Sequence, residues 1–345
     1  IHDLIRAEEI FAQAADREQI GISIYEENDR FWAGLSVEGQ QIYLLPAEGF
    51  ITKEFLLDQI SRLYVSVESV GMMETKEYLG ELKIKEQTPS VFDISLAAYL
   101  INPLKSTYEY DDIARDYLSL MIPSRKELLD KKKPMAGEDG LTEEGRKILG
   151  MEAYVSRTSI VPLSRRLAEL GMMDLYRNIE IPTMFALYDM EERGIHVDRQ
   201  ALKDYGDQLI GRIEELQNMI YQEAGEEFNI NSPKQLGIVL FEHMKLEGGK
   251  KTKTGYSTSV DVLEKIEHLY PIIPMILEYR QLTKLKSTYA DGLANFIRED
   301  ERIHGKFNQT ITATGRISST EPNLQNIPVR MDLGRQIRKV FLPEK

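Results

Sequence analysis

The sequence has no cysteine, which excludes disulfides, thiolate metal sites and thiol nucleophiles and suits a reducing, cytoplasmic compartment. Histidine is scarce: His2, His196, His243, His268 and His304 stand far apart and show no zinc-ligand spacing. No apolar run reaches the roughly 18 residues of a membrane span, and no basic segment leads into an apolar one at the start. A membrane partner is therefore not expected. The chain opens on Ile1 rather than Met, which points to a piece of a longer chain.

Positive charge is also in deficit. Lys and Arg total 43 against 56 Asp and Glu, a net charge of −13 that by itself argues against a polyanionic partner. The deficit is confined to residues 1–200, because residues 201–345 hold 20 of each sign. Residues 302–340 carry seven basic side chains against two acidic ones, among them Arg316, Arg330, Arg335, Arg338 and Lys339. This local charge of +5 runs against the acidity of the whole chain.

What is present fits two or three domains, since 345 residues allow each its own core. Residues 20–46 alternate β-branched and aromatic residues with breaks at Asn28-Asp29 and Glu38-Gly39, which predicts three consecutive antiparallel strands. A helix at about 52–63, a strand in "LYVSVESV" (63–70) and a strand-to-helix entry in "VFDISLAAYLINP" (91–103) complete an α/β reading of residues 1–173. The polar stretch 122–145 reads as a loop, and its Lys131–Lys133 run as solvated.

Beyond residue 174 the pattern is of long helices. Leu209, Ile213, Leu216 and Ile220 recur at helical steps, as do Met275, Tyr279, Leu282, Leu285, Tyr289, Leu293 and Phe296, and the two helices fit an antiparallel pair. Between them, Asn231 or Ser232 can cap a helix that has Pro233 in its first turn. Arg280 and Lys284 share a helix face, with Ser287 and Thr288 near the next turn. A solvated face and a ladder of cations meeting successive phosphates both fit that spacing. The loop "KKTKTGYSTS" (250–259), with Lys253, Ser257 and Thr258, is a polar tip of the kind that can grip a duplex.

Residues 312–330, "TATGRISSTEPNLQNIPVR", have no period of either kind. They concentrate Arg316, Asn323, Gln325, Asn326 and Arg330 around Pro322 and Pro328. Donors of this type suit the minor groove, where every base pair offers acceptors irrespective of sequence; an irregular crossing whose amides satisfy their own turns is the alternative.

This 19-residue stretch closely resembles the segment leading from thumb to palm in bacterial family A DNA polymerases, the DNA polymerase I group. "FNINSPKQLG" (228–237), "KKTKTGYSTS", "YRQLTKLKSTY" (279–289) and "EIPTMFALYDMEERGIHVD" (180–198) follow the same family in order. The resemblance implies a first palm segment or connector at 174–200, a thumb at 201–301 and the start of a palm at 302–345. Arg316 would contact the minor groove at the primer terminus, beside Asn323, Gln325, Asn326 and Arg330. Asn229, Ser232, Arg280 and Lys284 would hold the primer-template backbone.

The family also implies a ribonuclease H-like domain of 3′–5′ exonuclease type over residues 1–173. Where active members carry Asp-x-Glu this chain has "GISIYEE" (21–27). "ETKEY" (74–78) keeps Lys76 but has Tyr78 at the aspartate position, and "YVSRT" (154–158) keeps Tyr154 but has Thr158. Two-metal hydrolysis needs those carboxylates, so an inactive domain is expected, without rescue by Glu26, Glu27, Glu74 or Glu77. The chain ends at "RKVFLPEK" (338–345), ahead of the family's palm carboxylates and fingers. The expected whole is a fragment of a DNA polymerase that binds primer-template duplex and needs the rest of that chain, palm and fingers, for Mg²⁺-dependent synthesis. No cofactor is expected in the fragment itself. A stand-alone DNA-binding module and an active exonuclease are the competing readings; a coding sequence that stops at Lys345 would favour the module.

Overall fold

The computed structural model describes residues 1–343 apart from 87, 130–132, 254 and 329–331. The chain divides into two compact units, Ile1–Glu192 with Phe307–Ser318, and Arg193–Lys306 with Ser319–Lys345.

The first unit is built on a five-stranded sheet. Its elements are α1 (Leu4–Ala15), β1 (Gln19–Glu27), β2 (Arg30–Glu38), β3 (Gln41–Pro46), α2 (Lys53–Ser66), β4 (Ser69–Met72), β5 (Val91–Asp93), α3 (Ile94–Ile101), α4 (Tyr110–Leu118), α5 (Arg125–Leu128), the hairpin β6 (Ala136–Gly137) and β7 (Gly140–Leu141), α6 (Glu143–Thr158), α7 (Ile160–Glu169), α8 (Met173–Leu175) and α9 (Ile181–Arg193). The sheet order is β3-β2-β1-β4-β5. β1 to β3 are antiparallel neighbours, while β4 runs parallel to both β1 and β5. Asn28 and Asn-like Asp29, at φ 51° and 61°, form the two-residue turn that joins β1 to β2. Side chains tolerant of that conformation are what such hairpins need.

Helix α6 lies directly on the sheet. A Cβ on Gly21 would come within 2.2 Å of the Ala153 carbonyl oxygen, and one on Gly71 within 2.1 Å of the Ser156 carbonyl oxygen. Only glycine permits that approach. The Ser23 hydroxyl then donates to the Leu149 carbonyl at 2.7 Å and fixes the helix on β1.

Two segments of this unit differ from the sequence expectation. "LYVSVESV" begins as the last turn of α2, with strand β4 starting only at Ser69. Leu56, Ile60, Leu63 and Tyr64 are buried at helical spacing and Val65 is exposed, so the 3.6-residue period wins over β-propensity. The polar stretch 122–145 is not all loop: Ser124 and Glu127 form a reciprocal capping box on α5, and the hairpin β6–β7 follows. Lys131 and Lys132 lie outside the described residues.

The second unit is mainly helical. It contains β8 (Ile195–Val197), α10 (Arg199–Ala224), α11 (Pro233–Ile238), the hairpin β9 (Lys250–Thr252) and β10 (Gly255–Ser257), α12 (Val260–Leu263), α13 (Ile272–Lys284), α14 (Gly292–Ala294) and β11 (Arg302–Ile303). The connecting strands β12 (Lys306–Asn308) and β13 (Ser318–Thr320) mark the chain's passages between units, and α15 (Asp332–Gln336) and β14 (Phe341–Leu342) complete it. β11, β8 and β14 form a small antiparallel sheet.

α10 begins where the Asp198 carboxylate accepts from the Ala201 amide at 2.8 Å, and it stops at Gly225, φ 75°. It packs on α13 through Leu209, Leu216, Ile220, Ile276 and Tyr279, and Arg212 forks onto Glu278 across the pair at 2.8 and 2.9 Å. From Leu285 to Asp291 the second helix widens into a π-turn. Leu285, Tyr289 and Leu293 remain buried, but Phe296, assigned to the same apolar stripe from spacing, lies past the helix end and is exposed.

Among the described residues no helix is long and apolar enough to cross a membrane.

Candidate nucleic-acid interface

In the helical unit, the Ser232 hydroxyl accepts from the Gln235 amide and caps α11, with Pro233 in the first turn as its spacing predicted. The preceding turn closes on itself. Asn229 Oδ1 accepts from the Asn231 amide at 3.0 Å, and the Asn229 amide donates to Gln235 Oε1 at 2.8 Å.

Arg280 joins this turn to the loop after β10. Its Nε donates to the Ile230 carbonyl at 3.3 Å, Nη1 to the Thr258 carbonyl at 2.7 Å and Nη2 to Thr258 Oγ1 at 3.4 Å. Burial lowers the affinity of this guanidinium for its proton. Thr258 is itself buried. Among the residues expected to meet a phosphate backbone, Arg280 and Thr258 thus serve each other first, while Lys284, Lys253 and Asn229 are exposed. Ser257 is half-buried, its hydroxyl 3.3 Å from that of Ser259. The loop expected at 250–259 is a β-hairpin, in which Lys251 lies over the Tyr256 ring at 5.4 Å.

The segment 319–327 is pinned from within the same unit. Tyr289, on the π-turn, donates its hydroxyl to the Asn326 carbonyl, and Ile327 is buried in the helical core. Ser319 is fully buried: its hydroxyl donates to the Pro322 carbonyl at 3.2 Å and accepts from the Leu324 amide at 3.2 Å. Asn323 Oδ1 accepts from the Gln325 amide at 3.0 Å, and Gln325 Oε1 accepts from the Ser319 amide at 3.3 Å. Asn323, Gln325 and Asn326 are exposed. The two possibilities for these amides are therefore compatible. The carbonyl oxygen of Asn323 shapes the turn, and its NH₂ group is left for an acceptor from outside.

Arg316 belongs to the sheet unit and Arg330 lies outside the described residues. Residues 312–316 form a tight turn with Gly315 at φ 76°, and the Thr312 hydroxyl donates to the Arg316 carbonyl at 2.6 Å. This leaves the Arg316 side chain exposed.

The sheet unit also holds a cavity of about 420 Å³. Ile22, Ser23 and Ile24 from β1 line it, with Glu74, Tyr78, Arg125, Glu152 and Ser156. Of the three positions Tyr78, Tyr154 and Thr158 singled out in the sequence, only Tyr78 reaches it, and its hydroxyl donates to the Ile24 carbonyl at 3.2 Å. Thr158 turns back to the Tyr154 carbonyl at 2.8 Å. Helix α6 presents Glu152 and Ser156 instead, four residues apart on one face, a pair that the Tyr-x-x-x-Asp spacing did not flag.

The cavity is acidic. Glu152, largely buried, accepts from Arg125 at 2.9 Å; burial raises its pKa and the guanidinium opposes the rise. Glu74 is also raised, by burial and by the neighbouring Asp93 and Glu77. Asp93, fully buried, caps α3 through the Leu96 amide at 2.8 Å and holds the Thr75 amide at 2.7 Å; burial pushes its pKa up against those bonds. Among the described residues no three His, Asp or Glu side chains converge as a metal-binding set.

A family model, "DNA polymerase family A", matches residues 199–345. DNA polymerase I of Bacillus subtilis is 39% identical over 336 residues, which make up 95% of this chain and 37% of that protein. DNA polymerase I of Caldicellulosiruptor bescii is 39% identical over 89% of this chain and 35% of its own length. The chain thus spans little more than a third of these relatives. Among solved structures, the polymerase domain of Pol1 from M. smegmatis in complex with DNA primer-template and dNTP superposes with a TM-score of 0.78 at 27% identity, covering 96% of this chain and 56% of that one.

Proposed function

Because the chain belongs to DNA polymerase family A, we propose that its helical unit grips primer-template duplex while the remaining length of a DNA polymerase I performs template-directed synthesis. One observation carries the reading: Asn323 uses its carbonyl oxygen within the turn and leaves its NH₂ donors exposed. Minor-groove acceptors at purine N3 and pyrimidine O2 are common to all base pairs, so such donors check pairing without reading sequence. Gln325, Asn326 and Arg330 would join Asn323 there, and the resemblance makes Arg316 of the sheet unit a minor-groove donor in its own right. Lys284, Lys253, Asn229, Ser232 and Ser257 would meet the phosphate backbone, with α10 and α13 as the thumb's helical pair. Arg280 and Thr258 would set the position of the turn and hairpin around them.

Nucleotidyl transfer depends on carboxylates that hold two Mg²⁺ between primer hydroxyl and α-phosphate. Among the described residues no three His, Asp or Glu side chains form such a set. In this reading that step falls to the palm and fingers of the whole polymerase, in the cytoplasm.

For the sheet unit the reading is a ribonuclease H-like domain of 3′–5′ exonuclease type that no longer cleaves. The order β3-β2-β1-β4-β5, antiparallel on one side of β1 and parallel on the other, supports that fold. Ile22, Ile24 and Tyr78 in the cavity support the loss of its metal carboxylates.

The test is binding of the 345-residue chain to a labelled primer-template, followed by fluorescence anisotropy at several salt concentrations. Affinity should fall linearly in log–log form with salt and be the same for unrelated duplex sequences. Absence of binding at low salt, or dependence on one sequence, would sink the reading.

A further inference from the structure

Lys76 is the one residue of the second nuclease motif that the sequence retains, and it does not line the cavity. Its ammonium instead donates to the Glu191 carboxylate and, at 2.6 Å, to the Phe307 carbonyl. The Phe307 amide returns a bond of 2.6 Å to the same Glu191 oxygen. Lys76 and Glu191 are only 14% and 11% exposed, so this is a largely desolvated ion pair closed around the backbone of one residue, Phe307.

Two further ties hold the chain that follows. Gln309 Nε2 donates to Glu180 at both its carbonyl, 3.1 Å, and its carboxylate, 2.9 Å. The Tyr99 hydroxyl, from α3, donates to the Thr312 carbonyl at 2.8 Å. Thr312 is the residue whose hydroxyl closes the turn onto Arg316. Residues 307, 309 and 312 are therefore fixed in succession by the sheet unit, and the third fixation is the root of the turn that presents Arg316.

From this geometry we infer that the sheet unit acts as the positioning scaffold of the Arg316 turn, with Lys76 as its principal anchor. Lys76, largely buried and bonded to Glu191 and Phe307, is assigned no contact with DNA. It acts by restricting Phe307–Arg316 to one path, so that Arg316 does not lose its freedom only on binding. The inference rests on the reading of Arg316 as a DNA-contacting residue and goes beyond it by giving a working role to a domain without nuclease chemistry.

The experiment compares Lys76→Met, Lys76→Arg, Gln309→Ala and Arg316→Ala in the 345-residue chain. It measures primer-template affinity together with hydrogen exchange of peptides covering 307–318 and β1–β3. Lys76→Met should weaken binding about 5-fold and speed exchange at 308–316 without altering β1–β3, whereas Lys76→Arg, which keeps the charge and donors, should restore most of the affinity. The salt slope should stay unchanged, because no phosphate contact has been removed. Arg316→Ala should weaken binding with exchange unaltered.

If Arg316→Ala weakens binding and Lys76→Met does not, the scaffold inference is overturned while the DNA reading stands. If neither changes affinity, both fall. Should Lys76→Met also loosen β1–β3, Gln309→Ala decides: about 2-fold weaker binding with local exchange supports the scaffold, and unchanged binding refutes it.

Discussion

Arg280 donates to Thr258 at both its carbonyl oxygen, 2.7 Å, and its hydroxyl, 3.4 Å, across 22 residues of sequence. Four residues on, Lys284 is exposed. Spacing makes the two residues rungs of one ladder, yet the structure gives them different work. Arg280→Ala leaves the Thr258 and Ile230 carbonyls without this partner, and stability should drop by about 1–3 kcal/mol. Lys284→Ala should leave the melting midpoint within a degree or so, weaken duplex binding and reduce the log–log salt slope by about 1. Denaturant titration and salt-dependent anisotropy separate the outcomes. Equal effects of the two substitutions on both readouts would contradict the division of roles.

The acidic cavity predicts a pH dependence. Glu74 has its pKa raised in the folded chain by burial, Asp93 and Glu77, with Glu152 and Glu109 adding to the rise. A carboxyl raised on folding binds its proton more tightly in the native state. Its contribution is therefore present below the ordinary carboxylate pKa and is lost as pH climbs from there to the raised value. Glu74→Gln should raise stability relative to the parent chain at neutral pH, and the difference should vanish in acid below about pH 4. Melting curves from pH 3.5 to 8 check this; a difference that grows toward acid would show the opposite sign.

The same cavity predicts an absence of nuclease chemistry. Ile22 and Ile24 occupy the β1 side, and Glu152 is already paired with Arg125. Incubation with 3′-labelled single-stranded DNA and Mg²⁺ or Mn²⁺ should give no metal-dependent trimming. Trimming that Glu74→Gln and Glu152→Gln both abolish would restore the active-exonuclease reading.

Local chemistry made much of the fold legible. Asn28-Asp29 marked the hairpin, Ser232-Pro233 marked the start of α11, and the apolar period of α10 gave its packed face. Features decided by tertiary contacts were not legible. The helix that continues past the π-turn at 285–291 ends at Ala294, so Phe296 leaves its stripe. Glu152 and Ser156 enter the cavity because Gly21 and Gly71 seat α6 closely on the sheet, a register that a four-residue motif does not encode. The partners of Arg280 and Lys76 include backbone carbonyls 22 to 231 residues away, and a carbonyl oxygen carries no side-chain signature. At the candidate interface the residue types were evident, but which of them are exposed and which are structural depends on those distant acceptors.

Asn323 offers the sharpest test of the minor-groove reading, because its two amide ends do different things. Oδ1 accepts from the Gln325 amide at 3.0 Å, and the NH₂ group stays exposed. Asn323→Asp keeps an acceptor for the turn but replaces the outward donor with negative charge, whereas Asn323→Ala removes both. In stability the Asp variant should match the parent and the Ala variant should lose about 0.5–1.5 kcal/mol. In binding the order reverses: Asp should weaken primer-template affinity by about 10-fold or more, through a lost donor and repulsion from the groove, and Ala by less. If Asn323→Asp binds duplex as well as the parent chain, the NH₂ donors do not face DNA, and the amides of 323–326 serve the turn alone.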